Sequence, residues 1–301
     1  MDSLAAAPGT GPATSPLPLV RPARAPRRFD DLPTGRTLVM GILNVTPDSF
    51  SDGGQFGQAD QAIQAGLKMH YDGADIIDVG GESTRPDSVR VTAEEEQQRI
   101  LPVVEALVKA GALVSVDTMN ASTAEKAIAA GAALINDVSG LDVDPAMPEL
   151  IARTGVRYVL MHSRGAVRSS DPHAEYDSVV DDVITELTKI RDAFYAAGVS
   201  PEQIILDPGL GFSKNGDANW ELLRNIDRLI GLGHRVLIGA SRKRFLGSLL
   251  TSSGKAAPPL ERDDATAAVT ALAAFANVWC VRVHNVRPSL DAVKTTAAWK
   301  G

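Results

Sequence analysis

The chain has 301 residues, of which 44% are hydrophobic, 22% charged and 5% aromatic, with a single cysteine and a net charge of −7. This composition is typical of a soluble globular protein with an aliphatic core, and it excludes fibrous chains, wholly disordered chains and disulfide frameworks. The charge has the wrong sign for general attraction to nucleic acid or anionic membranes, and no apolar run is long enough to cross a membrane, so neither is expected as a partner.

The beginning of the chain, residues 1–28, is rich in Ala and Pro and ends in a cluster of arginines. It lacks the continuous apolar stretch of a secretory signal. An arginine-bearing leader with few acids also occurs in organellar transit peptides, but the repeated prolines disfavour the amphipathic helix of such peptides. We therefore expect a disordered extension over residues 1–28, one folded domain over residues 29–301, and a cytoplasmic location.

From Thr37 onward, short apolar runs alternate with segments of helical spacing. The predicted strands are Thr37–Leu43, Ile76–Val79, Val114–Val116, Leu134–Ile135, Tyr158–Leu160, Ile204–Leu206, Val236–Ile238 and Val281–Val283. Between them, Thr92 and Glu95 match a helix capping box, and apolar residues from Val179 to Phe194 recur on one helix face. Eight such units predict a single closed parallel (β/α)8 TIM barrel, with an open doubly wound sheet as the alternative.

Polar residues follow each predicted strand, where the active site of such a barrel lies. Asp117, Asn136 and Asp207 offer carboxylates and a carboxamide that can pair with a flat heterocycle. A second group adjoins the point where the barrel closes and consists of Asn44, Thr84, Arg85, Arg242, Lys243, Arg282 and His284. Its cations predict a phosphate-bearing ligand, and the amide of Asn44 suits a magnesium ion held largely by the phosphates.

Other motif classes do not fit the glycine-rich segments. Lys214 stands at the third glycine position of a dinucleotide fingerprint, and no P-loop sequence occurs. The segment 239–243 lacks the closing glycine of a nucleophile elbow. His162 and His284 belong to no HExxH motif and have no cysteine companions, so a zinc ion held by the protein is not expected.

Five segments resemble motifs of the dihydropteroate synthase family: MGILNVTPDSFSDGG at 40–54, DVGGESTRP at 78–86, DPGLGF at 207–212, SRKRFLG at 241–247 and RVH at 282–284. The resemblance runs from about Thr37 to the end of the chain. It implies a pterin-binding transferase of folate biosynthesis that joins 6-hydroxymethyl-7,8-dihydropterin pyrophosphate to p-aminobenzoate and releases pyrophosphate with the help of Mg2+. It also implies a sulfonamide target and a homodimer formed through helices late in the barrel.

The resemblance implies three overlapping sets of binding residues. The pterin set is Asp117, Asn136, Asp207, Lys243 and Arg282, with Arg282 stacking over the ring. The pyrophosphate set is Asn44, Thr84, Arg85, Arg282 and His284, with Asn44 also beside the magnesium ion. The p-aminobenzoate set is Thr84, Pro86, Phe212 and Lys243. The residues implied in catalysis are Arg85, Asp117, Lys243, Arg282 and His284.

Three positions depart from the usual family pattern. Asp87 stands where Gly is usual, Arg244 where many members have Ser, and Asn285 where Asp usually follows the His. We expect the first to stiffen the second loop and the second to alter how the carboxylate of p-aminobenzoate is held. The third removes a negative charge beside the pyrophosphate.

The chemistry of the implied substrates favours a dissociative, SN1-like route, because the aromatic amine is a poor nucleophile and the dihydropterin can stabilise a cation. Two other classes of function remain open. A corrinoid-dependent methyltransferase that uses methyltetrahydrofolate would share the barrel, but would not need segment 83–86 or the pair Arg282 and His284. A non-catalytic pterin-binding paralogue is expected to have lost some of the residues Asn44, Arg85, Lys243 and His284, all of which are present.

Overall fold

The computed structural model describes residues 28–46, 54–82, 91–164, 175–252 and 254–301. Its strands are β1 (Leu38–Asn44), β2 (Ile76–Gly80), β3 (Val114–Asp117), β4 (Leu134–Asp137), β5 (Arg157–Met161), β6 (Ile204–Asp207), β7 (Arg235–Ile238) and β8 (Cys280–Val283). The α-helices within the described ranges are α1 (Gly54–Asp72), α2 (Ala93–Lys109), α3 (Ala121–Ala129), α4 (Met147–Thr154), α5 (Val179–Ala196), α6 (Gly216–Arg224), α7 (Ile226–Ile230), α8 (Arg244–Leu249), α9 (Asp263–Phe275) and α10 (Val286–Lys300).

The strands form one closed parallel barrel in chain order, in which β1 also pairs with β8. The predicted (β/α)8 barrel is therefore confirmed, and the open doubly wound sheet was the wrong alternative. Among the described helices, none has the length and apolar character needed to cross a membrane. Most of the predicted extension, residues 1–27, lies outside the described residues.

The strands β1 to β6 reach further toward their carboxyl ends than the sequence predicted, whereas β7 and β8 end at the predicted residues. Asn44, Asp117 and Asp207 are the last residues of their strands rather than the first residues of loops. The barrel explains this difference, because neighbouring strands continue to pair past the apolar run, as Asn44 does with Gly80 and Asp117 with Asn136. The sheet itself therefore fixes the backbone that carries these polar side chains.

Alternation along each strand separates two apolar cores. The core inside the barrel includes Leu38, Met40, Ile76, Leu113, Leu134, Val159, Ile205, Leu237 and Cys280. The core between barrel and helices takes the intervening residues, such as Val39, Ile77 and Val114. Side chains two or four positions further along a strand point to the same side of the sheet. The polar residues that stand at this spacing after the inner-core residues, and so also point inward, are Asn44, Asp78, Asp117, Asn136, Asp207 and Arg282. The inner wall is thus apolar at its amino-terminal part and polar at its carboxyl-terminal mouth.

An aromatic plug closes the amino-terminal end of the barrel. Leu32 is buried in the inner core, and Phe29 stacks on Trp279 with ring centroids 5.8 Å apart. The guanidinium groups of Arg157 and Arg235 lie 5.0 and 5.1 Å from the centroid of the Phe29 ring. Because this end is filled, the polar mouth is the end at which a ligand can enter the barrel.

The predicted apolar stripe is confirmed on α5. Of the capping box predicted at the start of α2, the structure shows the hydrogen bond to Thr92 but not the return bond from Glu95. The predicted stripe on α5 is buried at Val179, Val180, Val183, Leu187, Ile190 and Phe194. At the start of α2, Thr92 Oγ1 accepts a hydrogen bond from the Glu95 amide at 3.2 Å. The Glu95 carboxylate pairs with Arg99 on the next turn of the helix.

Candidate active site

Arg282 lies between two carboxylates at the mouth of the barrel. Its Nε donates to Asp78 Oδ2 and its Nη2 donates to Asp117 Oδ2, both at 2.6 Å. Asn136 Nδ2 donates to the same Asp78 oxygen at 2.9 Å. Asp78 is fully buried, and its other oxygen has no hydrogen-bond partner among the described residues. The two ion pairs fix the guanidinium at both ends, so its plane has a defined orientation in the mouth.

The Asp117 carboxyl changes protonation near neutral pH. Burial raises its pKa to about 7, with the Arg282 guanidinium acting against that rise and the Asp78 carboxylate adding to it. Desolvation disfavours the ionised form of any carboxyl, and a neighbouring anion does so too. At neutral pH, Asp117 can therefore act either as a donor or as an acceptor of a hydrogen bond.

A second charged centre joins β6 to the loop after β7. The Gly209 amide donates to Asp207 Oδ1 at 2.7 Å. Lys243 Nζ donates to the carbonyl oxygen of Leu210 and lies 4.4 Å from the centroid of the Phe212 ring. Gly239 leaves room between the two charges, since a Cβ there would lie 3.9 Å from Asp207 Oδ2 and 4.0 Å from Lys243 Nζ.

Burial and mutual attraction act in opposite directions at this second centre. Burial lowers the pKa of Lys243 to about 8, while Asp207 raises it and Arg282 lowers it further. Burial likewise raises the pKa of the Asp207 carboxyl, and the positive charges of Lys243 and Arg282 oppose that rise. Since each group affects the others, the two centres behave as one electrostatic unit in the mouth.

His284 and the loop after β7 form the third part of the site. The Ser241 hydroxyl lies 3.0 Å from His284 Nδ1 and accepts a hydrogen bond from the His284 amide at 3.1 Å. Arg242, expected among the phosphate-binding cations, is instead engaged by Asp263, with contacts of 2.6 and 2.8 Å. Its left-handed backbone, with φ of 58°, turns its side chain to that partner. Asn285, which stands where the family usually has Asp, donates to Asp263 Oδ2 at 3.1 Å and so supports the same ion pair.

The structure brings most of the predicted site residues together. Asp117, Asn136 and Arg282 share the contacts around Asp78, and Phe212, Lys243 and Asp207 lie at the second centre. Asn44 ends β1 and is half-buried. Arg244, which stands where many family members have Ser, is exposed at the start of α8. The remaining predicted residues, Thr84, Arg85 and Pro86, and the departure Asp87 lie outside the described residues.

Sequence reasoning missed Asp78 and Ser241 as parts of the site. Asp78 could have been found from the sequence, because it is a carboxylate within an apolar strand, and a buried carboxylate needs a partner. It also stands two positions after the inward-facing Ile76, which predicts that it points into the barrel. Ser241 had no such signal, since a serine after a strand is as typical of a turn.

The mouth of this closed barrel holds buried carboxylates, an amide and fixed cations, which is typical of enzymes that bind a polar heterocycle. Residues 40–284 match the family model described as "Pterin binding enzyme". A dihydropteroate synthase of Mycobacterium leprae is 48% identical over 264 residues, covering 87% of this chain and 93% of the relative. The chain belongs to the dihydropteroate synthase family, and its function is that of a dihydropteroate synthase in folate synthesis.

Solved structures of the family are similar throughout the barrel. The Xanthomonas albilineans dihydropteroate synthase with 4-aminobenzoic acid superposes with a TM-score of 0.80 at 40% identity, covering 88% of this chain and 92% of that chain. The Yersinia pestis enzyme in a sulfonamide drug complex superposes with a TM-score of 0.82 at 38% identity, covering 89% and 96%. These identities favour the synthase over the methyltransferase alternative.

Proposed function

We propose that this chain joins 6-hydroxymethyl-7,8-dihydropterin pyrophosphate to p-aminobenzoate, with the pterin ring in the mouth of the barrel. The observation that carries the proposal is the arrangement of Arg282 between Asp78 and Asp117 at the polar end of a closed barrel. Such a buried set of fixed charges is costly unless a ligand or partner uses it. A flat ring with hydrogen-bonding edges matches these groups in size and polarity.

The proposed pterin set is Asp117, Asn136, Asp207, Lys243 and Arg282. A pterin edge presents both donors and acceptors, and the carboxamide of Asn136 offers both. Asp117 can do the same near neutral pH, because burial raises the pKa of its carboxyl to about 7. The guanidinium of Arg282, held at both ends, is suited to stack on the face of the ring.

For the pyrophosphate we propose Asn44, Thr84, Arg85, Arg282 and His284. A magnesium ion fits this set through Asn44, whose neutral amide oxygen is a suitable hard ligand. Among the described residues there is no group of three or more His, Cys, Asp or Glu that could hold a metal ion, so the ion would take its other ligands from phosphate oxygens and water. When bound, Mg2+ supplies charge neutralisation on the leaving pyrophosphate.

For p-aminobenzoate we propose Thr84, Pro86, Phe212 and Lys243. Phe212 offers a ring face near the ammonium of Lys243, which matches an aromatic carboxylate in both shape and charge. The bound 4-aminobenzoic acid in the Xanthomonas relative supports this ligand class. A sulfonamide has the same aminophenyl group, so we propose that this chain is also a sulfonamide target.

The proposed mechanism is SN1-like. Arg85, Arg282 and His284 stabilise the negative charge that grows on the departing pyrophosphate. The negative charges of the Asp117 and Asp207 carboxylates stabilise the positive charge that develops on the pterin methylene. One preorganised contact of this kind contributes about 3–4 kcal/mol to the transition state. The amine of p-aminobenzoate then attacks the cation and its nitrogen loses one proton to the released pyrophosphate or to water, so a covalent enzyme intermediate is not required.

Isotope exchange tests this mechanism. Substrate labelled with 18O at the bridging oxygen should scramble the label within bound pyrophosphate when p-aminobenzoate is absent, because ionisation can reverse before capture. His284→Ala should slow the scrambling by about two orders of magnitude. His234→Ala is the control, because His234 contacts Tyr195 at 2.9 Å near the opposite end of the barrel. An enzyme that turns over normally with p-aminobenzoate but never scrambles the label would contradict the SN1-like route and leave the overall reaction standing.

We also propose that the chain forms a homodimer through helices late in the barrel. Most of the large hydrophobic side chains that are exposed in the described residues lie in this part of the chain: Leu249, Leu250, Leu260, Leu272, Phe275 and Trp299. They lie on α8, α9, α10 and the short segment before α9, which are neighbours in the fold. Clustered exposure of this kind is typical of a protein interface.

A further inference from the structure

Lys214 is a buried lysine that the proposed reaction does not use directly. Its Nζ donates to the carbonyl oxygens of Phe212 at 2.9 Å and Gly209 at 3.1 Å, and to His162 Nδ1 at 2.8 Å. An ammonium has three donors and no acceptor, so these three acceptors satisfy it completely. A neutral amine would turn its lone pair toward one of them. Burial lowers the pKa of Lys214 well below its usual value, and these three acceptors act against that effect because they favour the charged form.

A neutral imidazole connects this ammonium to a carboxylate. Because His162 Nδ1 accepts from Lys214, the ring proton lies on Nε2, which is 2.8 Å from Glu186 Oε2. Burial lowers the pKa of His162 to about 4, which agrees with a neutral ring. Arg164 pairs with the same carboxylate at 2.6 Å. The charge of Glu186 thus balances the buried lysine through the imidazole.

The hydrogen bonds of Lys214 fix the loop after β6, residues 208–214. This loop begins next to Asp207 and also carries the Leu210 carbonyl that accepts from Lys243. The loop approaches β5 so closely that a Cβ on Gly209 would lie 1.9 Å from the His162 carbonyl oxygen. Burial raises the pKa of Asp207, and the positive charge of Lys214 adds to those of Lys243 and Arg282 in opposing that rise. The shape of the loop beside Asp207 therefore depends on the hydrogen bonds of Lys214.

We propose that Lys214 is a positioning residue for pterin binding, acting through Asp207. Its ammonium holds the loop after β6 against the end of β5, and the Gly209 amide of that loop donates to Asp207 Oδ1 at 2.7 Å, which orients the Asp207 carboxylate toward the ring edge. The charged groups that face it are Asp207, Lys243, Glu186 and Arg164. This inference rests on the proposed role of Asp207 in pterin binding.

Calorimetry with 6-hydroxymethylpterin and without p-aminobenzoate tests the inference. Lys214→Met keeps the aliphatic stem and removes the donors and the charge. It should weaken pterin binding by about tenfold to a hundredfold, as expected when hydrogen bonds to charged groups are lost. The matched control is Gln203→Met, because buried Gln203 donates to the carbonyls of Ile151 and Val156 at the amino end of β6. It should lower stability without changing pterin affinity.

A double-mutant cycle separates positioning from general destabilisation. If Lys214 acts through Asp207, then Lys214→Met should change pterin affinity less than threefold in the Asp207→Asn background. Equal losses in both backgrounds, unchanged affinity in folded Lys214→Met, or an equal loss in Gln203→Met would overturn the inference. If Asp207→Asn alone leaves pterin affinity unchanged, the proposed role of Asp207 fails instead.

A milder variant covers the case in which Lys214→Met does not fold. Glu186→Gln keeps an acceptor for His162 and removes the negative charge that faces Arg164 and, through the imidazole, Lys214, and the Glu186 side chain is partly exposed. It should weaken pterin binding several-fold with Asp207 present, and not in the Asp207→Asn background. Unchanged pterin affinity in Glu186→Gln with Asp207 present would count against the inference.

Discussion

Arg282 illustrates how a single side chain defines the chemistry of the site. Its guanidinium makes 2.6 Å contacts with both Asp78 and Asp117. The guanidinium is largely, not fully, buried, and its desolvation costs energy that two carboxylates offset only when the geometry is good. Three carboxylates, counting Asp207, face the two cations Arg282 and Lys243. The neighbouring carboxylates repel one another, and protonation of one of them relieves that repulsion.

Asp117 is expected to make the stability of the free protein depend on pH. Its pKa is about 7 in the fold, and an unfolded aspartate has a pKa of about 4. Between these values the folded chain keeps a proton that the unfolded chain has released, so stability falls as the pH rises. Relative to Asp117→Asn, the wild-type free energy of unfolding should fall by roughly 2–3 kcal/mol from about pH 5 to about pH 8.

Urea unfolding of both proteins across this pH range measures the effect. Glu125→Gln is the control, because Glu125 forms an exposed ion pair with Arg153, and such pairs contribute little. A difference between wild type and Asp117→Asn that stays constant with pH would contradict the assignment of Asp117 as the group that titrates near neutrality.

At the scale of elements, the loop after β6 depends on close backbone contact. Gly209 has a φ of 68°, and a Cβ there would lie 1.9 Å from the His162 carbonyl oxygen. Gly233 has a φ of 80°, but nothing lies within 4 Å of its Cβ position. The two glycines therefore share a left-handed backbone, which would strain any other residue, and differ in available space. This difference makes them a matched pair for substitution.

Gly209→Ala should cost about 3 kcal/mol or more of stability, because it adds a clash with the backbone to the strain of a left-handed residue. Gly233→Ala should cost about 1–2 kcal/mol, since only the strain applies. Chemical denaturation of the two variants gives both values. Equal costs would show that the loop after β6 can move away from β5, and the argument for a pinned loop would then fail.

The elements also show how far the sequence alone could predict the site. Asp117, Asn136 and Asp207 were predictable because they follow apolar strands, and the barrel places all strand ends at one mouth. The role of Arg242 was not predictable, because its partner Asp263 stands 21 residues away and its backbone is left-handed. The hydrogen bonds that connect Lys214 to His162 and His162 to Glu186 join side chains from the loop after β6, the end of β5 and α5. A pattern in one element gives no signal for such pairing.

At the scale of the whole molecule, the exposed hydrophobic residues on α9 are the strongest support for a dimer. Leu272 and Phe275 are 70% and 58% exposed, and they lie one turn apart on α9. A charged residue at the centre of an apolar interface is strongly unfavourable, because it must lose its water without gaining a partner. Substitutions at these positions are therefore expected to act on association rather than on folding.

Leu272→Glu and Phe275→Glu should each weaken the dimer by about thirtyfold or more, the effect of losing an interface residue that contributes about 2 kcal/mol. Tyr71→Glu is the control, because Tyr71 is 69% exposed on α1, which is not one of the helices proposed to form the interface. Sedimentation equilibrium over a range of concentrations should find the mass of two chains for wild type and Tyr71→Glu, and a shift toward one chain for the α9 variants. The described site residues lie at the carboxyl ends of the strands and not beside Leu272 or Phe275, so the α9 variants should keep their pterin affinity. A wild-type protein that stays monomeric at all concentrations, or a Tyr71→Glu variant that dissociates equally, would contradict an interface on the late helices.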